Sequence, residues 1–139
     1  NDVELFVDEV ISNDIPDLEV ANDEHYMTEF HDLKLAIKIV DDLDQAIHHI
    51  QKYSSGHTEA ILTESDETKN KFSKSLDSSV IFINASTRFT DGEMFGFGAE
   101  VGISTQKLHV RGPMGLESLT NERYVVEGSG TIRKWILMI

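Results

Sequence analysis

The sequence predicts an α/β fold, because strand and helix patterns alternate in the order β-α-β-α-β between residues 33 and 83. Short apolar segments typical of strands are separated by longer amphipathic segments of helical length. This order predicts a sheet whose crossover connections are right-handed. The expected strands are 33–40, 59–63 and 79–83, and the expected helices are 43–53 and 65–76.

The segment 33–40 is predicted to be a strand because its apolar residues recur at every second position. Lys34 and Lys38 occupy the alternate positions, so one face of the strand should be buried and the other should meet solvent. The expected buried face consists of Leu33, Leu35, Ile37 and Ile39.

The helix 43–53 is predicted from its first-turn residues and its apolar stripe. Asp42 should accept hydrogen bonds from first-turn amides while Gln45 reaches back, an arrangement called a capping box. Gly56 should supply a left-handed conformation where the chain leaves the helix. The stripe expected to face the core is Leu43, Ala46, Ile47, Ile50 and Tyr53, and the second helix should bury Phe72 and Leu76.

Residues 1–32 form an acidic N-terminal segment that contains 11 Asp or Glu and no Lys or Arg. Such a charge run is expected to be mainly solvated surface, although 3–7 has the composition of a strand and 8–11 that of a helical turn. His25 and His31 lie among these carboxylates, but their spacing matches no metal-binding motif. No metal site is therefore expected.

The overall composition excludes several classes of protein. A formal net charge of -13 argues against nucleic acid or an anionic membrane as a partner. No segment approaches the roughly 20 apolar residues of a membrane helix, and no signal-peptide pattern is visible, so a cytoplasmic protein is expected. The absence of cysteine removes disulfides, thiolate metal ligands and a cysteine nucleophile from this chain.

The stretch 84–115 follows the buried strand 79–83 directly and holds six of the nine glycines. Its three acidic residues are balanced by Arg88, Lys107 and Arg111, so it is a neutral segment within an acidic chain. A buried strand that leads into a long loop rich in glycine and hydroxyl groups is a common way to hold a site. We therefore expect this stretch to bind an anionic small molecule.

Beyond this stretch, 115–120 is typical of a short helical turn and 123–127 of a strand. An unpaired strand edge favours pairing with a second chain, and the apolar tail 135–139 would also suit a subunit contact. The expected organisation is an acidic segment 1–32, a main α/β part 33–121, and an oligomerisation strand with tail 122–139.

Four blocks of sequence carry a resemblance to a known family: AIHHIQKYSSGHTEAI at 46–61, NASTRF at 84–89, GAEVGIST at 98–105 and RGPMGLE at 111–117. In this order they resemble gamma-glutamyl phosphate reductase, also called glutamate-5-semialdehyde dehydrogenase, in the aldehyde dehydrogenase superfamily. The chain resembles only the C-terminal part of these longer proteins. The resemblance implies a three-layer portion of the aldehyde dehydrogenase-like catalytic domain with a C-terminal oligomerisation strand.

The resemblance also implies an activity, which is the NADPH-dependent reduction of L-glutamyl 5-phosphate to L-glutamate 5-semialdehyde with release of phosphate, in proline biosynthesis. The family's nucleophilic cysteine lies upstream of the part that this chain resembles. That chemistry needs a thiolate to displace phosphate and form a thioester for hydride to reduce. The intact protein is therefore expected to be the enzyme and a homo-oligomer, and the 139-residue chain alone to be inactive.

Glu29 is the cofactor-binding residue that the resemblance implies. It matches the superfamily glutamate that hydrogen-bonds the nicotinamide ribose, but His31 stands where that pattern has an aromatic residue. The alternative interpretation is that Glu29 is one more surface acid.

The substrate-binding residues that the resemblance implies are Ser86, Thr87 and Arg88, which match the loop that holds the distal end of the substrate. An arginine fork fits the α-carboxylate of a glutamyl substrate in bidentate fashion. The alternative is a structural ion pair between Arg88 and Asp91. Arg111 and His57 either bind the phosphate or tie the loop down, and these two possibilities remain open.

The remaining expectations concern two adjacent histidines, a group of glycines and two alternative classes of protein. His48 and His49 are expected to pack or lie at the surface of their helix. Glycines at 96, 98 and 102 superficially fit a dinucleotide loop, but no strand directly precedes them, so we expect a tight turn. The absence of cysteine also suits a stand-alone, non-catalytic binding or oligomerisation module, and an unrelated α/β ligand-binding domain is a third possibility.

Overall fold

The computed structural model describes residues 2–98, 101–104, 106–125, 127 and 129. Its mixture of parallel strands and helices confirms the α/β class. The elements are β1 Glu4–Val7, α1 Glu9–Asp14, β2 Glu19–Val20, α2 Asp23–Met27, β3 Lys34–Ile37, α3 Leu43–Tyr53, β4 Thr58–Ile61, α4 Asp66–Ser75, β5 Val80–Ile83, β6 Val101–Ile103 and β7 Gly112–Met114. Two 3-10 turns, Thr87–Phe89 and Leu116–Leu119, follow β5 and β7, and the second confirms the helical turn predicted at 115–120.

The two predicted central helices form as expected. Asp42 accepts a hydrogen bond from the backbone N–H of Gln45 at 2.8 Å, and the Gln45 side chain accepts from the N–H of Asp41 at 3.2 Å. Gly56 adopts the expected left-handed conformation, with φ +72°. The two helices enclose a core of Ile47, Phe72 and Leu76, against which Leu43, Ile50, Ile61 and Ile81 pack.

The strands divide into separate sheets, which corrects the prediction of one continuous sheet. β3 pairs in parallel with β1, which also pairs with β2, whereas β4 pairs in parallel with β5. In the β1–β3 register Glu4 lies opposite Lys34, and their charged groups meet at 2.8 Å. Opposite charges at facing positions favour this pairing, which the pattern of residues 33–83 alone does not reveal.

The expectation that 1–32 is mainly solvated surface is wrong for β1. Phe6 and Val7 are 5% and 0% exposed, and the Phe6 ring stacks on His25 and Phe30. Asp8 caps α1 by accepting from Ile11 N–H at 3.0 Å, and its other oxygen accepts from Ile39 N–H at 2.7 Å. Phe6 and Val7 of this segment are therefore buried, and Asp8 caps a helix, within an otherwise largely exposed acidic segment.

The expected buried face of β3 is also wrong. Leu35 is 50% exposed, and Leu33 and Ile39, which flank the strand, are 63% and 52% exposed. Lys34 is less exposed than Leu35, and its ammonium meets Glu4. The period of two is present, but of the expected face only Ile37 is partly buried.

The glycine-rich stretch is more structured than a loop. It contains the first 3-10 turn and an antiparallel hairpin in which β6 pairs with β7. A turn forms at Gly96, where Phe97 N–H donates to the carbonyl of Gly92 at 2.7 Å, and β6 follows where a dinucleotide loop would begin a helix. The expected turn is therefore present around Gly96, whereas Gly102 lies within β6. Of the predicted strand 123–127, the described residues 123–125 and 127 form no strand, and residue 126 and the tail 135–139 lie outside the described residues.

Candidate anion site at the carboxyl ends of two parallel strands

The parallel pairing of β4 with β5 gives the central sheet two chemically different edges. Thr58 lies opposite Val80 at the amino ends, and Ile61 lies opposite Ile83 at the carboxyl ends. In open α/β sheets, ligands bind beyond the carboxyl ends of the strands. The stretch 84–115 leaves β5 at the carboxyl edge and returns to the amino edge, so its residues divide between the two.

At the carboxyl edge, Asn84 reverses the chain directly after β5. It has a left-handed φ of +55°, which asparagine tolerates better than most residues. Its backbone N–H donates to the carbonyl of Ile61 at 2.8 Å. This reversal leads the chain into the 3-10 turn Thr87–Phe89, so the turn sits just beyond the ends of both strands.

Ser86 caps this 3-10 turn, because its Oγ accepts a hydrogen bond from the backbone N–H of Arg88 at 3.2 Å. The turn is closed by Thr90 N–H, which donates to the carbonyl of Thr87 at 2.9 Å. The Ser86 hydroxyl keeps its own hydrogen for a ligand, since the cap uses only a lone pair. The turn thus places a hydroxyl donor and an arginine side by side.

Ser86 and Arg88 line a shallow pocket of about 300 Å³ together with Phe89 and Met94. Thr87 belongs to the same turn but does not line this pocket. Phe89 and Met94 are 49% and 63% exposed, so they offer an open apolar wall. The pocket therefore combines a cation, a hydroxyl and apolar side chains, a combination that suits a small acid with an aliphatic chain.

Arg88 forms no ion pair with any residue that the structure describes. The suggested pair with Asp91 is absent, because the Asp91 carboxylate caps the following turn instead. Its Oδ1 accepts from the backbone N–H groups of Glu93 at 2.8 Å and Met94 at 2.9 Å. The exposed Arg88 guanidinium is therefore available to an external anion.

At the amino edge, Arg111, unlike Arg88, is paired within the protein. Its side chain is only 16% exposed, and Nη1 donates to Asp77 Oδ1 at 3.1 Å. Nη2 donates to the carbonyl of Gly56 at 3.2 Å and also to the carbonyl of Asp77. Because these partners occupy both terminal nitrogens at the beginning of β4 and β5, while the buried Nε has no partner in the described part of the chain, the geometry favours the loop-anchoring interpretation of Arg111 over phosphate binding.

Lys107 joins the same anchor by pairing with the second oxygen of Asp77. The hydrogen bonds from Lys107 and then from Arg111 lower the pKa of the Asp77 carboxyl below its ordinary value. One carboxylate thus pairs with two of the three cations in the stretch 84–115. Among these three, only Arg88 has no carboxylate partner in the described structure.

His57 also contributes to the amino edge. Its Nδ1 lies 2.7 Å from the hydroxyl of Thr58, which in turn lies 3.2 Å from the hydroxyl of Thr90. A Cβ at Gly102 would come within 2.9 Å of His57 Nε2, so the missing side chain lets β6 approach the ring. His57 therefore packs where the stretch crosses β4, away from the pocket of Arg88.

Glu29 lies between α2 and β3 with its carboxylate exposed, 3.9 Å from His31 Nε2. Phe30, between them, turns inward and stacks on Phe6 at a centroid distance of 5.4 Å. The exposed Glu29 carboxylate is open to ribose hydroxyls, whereas the 77% exposed His31 provides no packed aromatic surface. The structure does not bring Glu29 into the pocket lined by Ser86 and Arg88.

The two adjacent histidines differ in their surroundings. His49 packs against Tyr26 and Tyr53, with centroid distances of 4.9 Å and 4.7 Å, and burial lowers the pKa of its imidazole. His48 is exposed. The interpretation of both as packing or surface residues is therefore confirmed.

Sequence reasoning did not single out three residues that shape the two edges: Asn84, Thr90 and Asp77. A polar residue directly after a buried strand is a detectable signal for Asn84, since asparagine favours left-handed turns. Thr90 and Asp77 carried no signal, because their partners are 32 and 34 residues away in the chain. Such distant pairings depend on the tertiary structure.

No group of three or more His, Cys, Asp or Glu side chains among the described residues is arranged to hold a metal ion. Within the same part of the chain, no helix has the length and apolar character needed to cross a membrane.

Comparison with known proteins places this geometry in context. No family model matches the chain. It is 57% identical over 119 residues to gamma-glutamyl phosphate reductase of Caldanaerobacter subterraneus subsp. tengcongensis, covering 86% of the chain and 29% of that protein. It is 56% identical over 133 residues to the protein of the same name from Carboxydothermus hydrogenoformans, covering 96% of the chain and 32% of that protein.

A solved structure gives the same answer. The crystal structure of gamma-glutamyl phosphate reductase from Thermotoga maritima superposes with a TM-score of 0.83 at 48% identity, covering 95% of the chain and 32% of that protein. The curated relatives do not favour a stand-alone binding module or an unrelated ligand-binding domain. Identity at this level over most of the chain makes it a homologue of the gamma-glutamyl phosphate reductases, matching about a third of their length.

Proposed function

We propose that this chain forms the C-terminal part of an intact reductase that converts L-glutamyl 5-phosphate to L-glutamate 5-semialdehyde with NADPH and releases phosphate. The names of its relatives support an oxidoreductase of this kind. NADPH supplies the hydride when it is bound, and the exposed Glu29 carboxylate is available to hold the nicotinamide ribose. The nucleophilic thiolate must come from outside this chain, which contains no cysteine.

Within that enzyme, Arg88 and Ser86 hold the α-carboxylate of the glutamyl substrate. The observation that carries this proposal is the exposed Arg88 guanidinium, which has no carboxylate partner among the described residues and lies beside the free hydroxyl of Ser86. Thr87 supports the turn between them. Phe89 and Met94 contact the methylene chain, and the acyl group then points toward the remainder of the enzyme.

Arg111 and His57 act on the substrate only indirectly in this proposal. Arg111 fixes the returning part of the stretch to Gly56 and Asp77, and His57 supports β6. Residues 122–139 contribute to a homo-oligomer, and the enzyme works in the cytoplasm. The isolated 139-residue chain has no reductase activity, because it lacks the sulfur nucleophile.

The substrate assignment is tested by steady-state kinetics of the intact reductase with Arg88→Ala. A hydrogen-bonded charge contributes about 1.5–3 kcal/mol, so we expect KM for L-glutamyl 5-phosphate to rise about 10- to 100-fold, while KM for NADPH stays unchanged. Lys107→Ala is the matched control, because Lys107 is a cation of the same stretch already paired with Asp77.

A second substrate makes this test specific. An acyl phosphate of the same length without the α-carboxylate should bind the wild-type enzyme weakly, and Arg88→Ala should not weaken it further. An equal rise in KM for both substrates, or no rise for the glutamyl substrate, would remove Arg88 from the carboxylate site.

The cofactor assignment is tested separately with Glu29→Ala in the intact reductase. We expect a higher KM for NADPH with an unchanged KM for the acyl phosphate. Asp32→Ala is a suitable control, because Asp32 is an exposed acid in the same connection before β3. Equal effects of the two substitutions would mean that Glu29 acts only through the general surface charge.

A further inference from the structure

We propose that Asn84 is a positioning residue that sets the place of Arg88 over the carboxyl edge of the sheet. This inference rests on the proposed role of Arg88 as the substrate-carboxylate anchor. Asn84 itself lies at the end of β5 and does not line the pocket of Ser86 and Arg88.

The Asn84 side chain pairs with one backbone residue through both of its polar atoms. Its Oδ1 accepts from the N–H of Thr63 at 2.8 Å, and its Nδ2 donates to the carbonyl of the same residue at 2.9 Å. With the bond from its own N–H to the carbonyl of Ile61, Asn84 makes three hydrogen bonds to the chain that leaves β4. The amide thus continues the β4–β5 pairing one step past the last ladder residues.

These bonds fix the left-handed backbone of Asn84 in space. The segment after β4 has little other support, since Leu62 is 81% exposed. The side-chain amide therefore ties the chain reversal at 84 to the sheet, and the turn Thr87–Phe89 begins only three residues later. A rotation at 84 would move Ser86 and Arg88 together relative to the strand ends.

The residue type matches this role. Asparagine is one of the few non-glycine residues that tolerates a left-handed φ, and its amide carries the donor and the acceptor that the Thr63 peptide requires. Glycine satisfies the backbone requirement only. Aspartate keeps Oδ1 as an acceptor but replaces the Nδ2 donor with a second oxygen, which faces the carbonyl of Thr63 and repels it.

The first test is Asn84→Gly in the intact reductase. The backbone keeps its left-handed conformation without strain, so the protein should fold, and only the side-chain tether is lost. We expect KM for L-glutamyl 5-phosphate to rise about 5- to 20-fold, in line with loss of one or two hydrogen bonds, while KM for NADPH stays unchanged. Asn121→Gly, at an exposed coil position, is the matched control for the loss of an asparagine.

A double-mutant cycle with Arg88→Ala separates this inference from the proposed function. If Asn84 acts through Arg88, Asn84→Gly should raise KM in the wild-type background but have almost no effect in the Arg88→Ala background. Independent multiplication of the two effects, or an unchanged KM in Asn84→Gly, would overturn the positioning role. An unchanged KM in Arg88→Ala would instead overturn the substrate assignment.

Asn84→Asp keeps the inference testable if Asn84→Gly does not accumulate as folded protein. It retains the tolerance of a left-handed backbone and one of the two side-chain bonds, so it should fold, with a thermal midpoint lowered by the repulsion at the Thr63 carbonyl. The substitution should still raise KM for the acyl phosphate in the wild-type background. In the Arg88→Ala background it should leave KM unchanged. A wild-type KM in Asn84→Asp would contradict the need for the Nδ2 donor.

Discussion

The two arginines of the stretch 84–115 carry the same guanidinium group but differ in their hydrogen-bond and ion-pair partners. Arg88 lies beyond the carboxyl ends of β4 and β5 and has no ion-pair partner among the described residues, whereas Arg111 lies at the amino ends with Asp77 and two backbone carbonyls around it. A guanidinium whose donors are used by the protein stabilises the fold. One whose donors are free, at the edge where ligands bind, is available for function.

The same contrast extends to the neighbours of each arginine. The amino edge is closely packed, since a Cβ at Gly112 would approach Ser79 Cβ to 2.9 Å. The carboxyl edge is open and contains exposed Phe89 and Met94. The hairpin β6–β7 therefore serves as the fixed end of the stretch, and the turn Thr87–Phe89 as its binding end. Four predictions test this division.

The largest effect is expected for Gly112→Ala, with Gly96→Ala as its control. Both glycines have φ +79°, but nothing lies within 4 Å of a Cβ at Gly96. A left-handed alanine costs about 1–2 kcal/mol, and the clash with Ser79 should add about 1–3 kcal/mol at Gly112 only. Urea unfolding of the intact protein measures both. Equal losses would show that the hairpin is not closely docked.

Arg111→Ala should lower the free energy of unfolding by about 2 kcal/mol, because it removes three hydrogen bonds, to the carbonyls of Gly56 and Asp77 and to the Asp77 carboxylate. Arg88→Ala should change it by less than about 0.5 kcal/mol, as is usual for surface positions. The order should be the opposite for the kinetics: Arg88→Ala should raise KM for the acyl phosphate far more than Arg111→Ala does. A stability loss of equal size in both variants would contradict the claim that Arg111 stabilises the fold and Arg88 does not.

Thr90→Val should have a smaller effect, about 1 kcal/mol, since it removes one hydroxyl hydrogen bond without changing the shape of the side chain. The bond joins Thr90 to Thr58, where the stretch crosses β4. Thr68→Val is the control, because the Thr68 hydroxyl has no partner in the described structure. Thermal unfolding compares the two, and identical midpoints would mean that the crossing is not held by this contact.

The smallest effect is expected on stability at acidic pH. Lys107 and Arg111 hold the pKa of Asp77 below its ordinary value of 3.8, so the stabilising contribution is complete above that value and is lost as the pH falls through the lower folded pKa. Asp77→Asn should therefore reduce stability near neutral pH and lose part of the acid dependence below pH 3.8. The carboxylate is exposed, so added salt should weaken the difference. An unchanged acid profile in Asp77→Asn would contradict this account.

Several predictions from the sequence succeeded because they depended on neighbours in the chain. Asp42 and Ser65 cap helices through residues three positions away, and the core stripe of α3 repeats at helical spacing. The assignment of Arg88 to the substrate came from the family resemblance and stays a prediction.

Other predictions failed where segments distant in the chain determine which residues are buried. The period of β3 did not tell which side would be covered, and Leu35 is half exposed. The acidic composition of 1–32 concealed the buried strand β1, because two apolar residues are enough to fill that core position. The contacts of Arg111 with Asp77 and Gly56, and of His57 with Gly102, were likewise not visible in the sequence.

The amino-acid sequence by itself determined the helices, their caps, the alternation of strands and the family resemblance, because each follows from residues close together in the chain or from short contiguous sequence blocks. Only the tertiary structure decided which strands pair and which arginine keeps its donors free. Both outcomes depend on contacts between segments that are distant in the chain, such as β1 with β3 and Arg111 with Asp77. Local patterns contain no information about those contacts, so an anchoring arginine and a binding arginine look alike until the chain is folded.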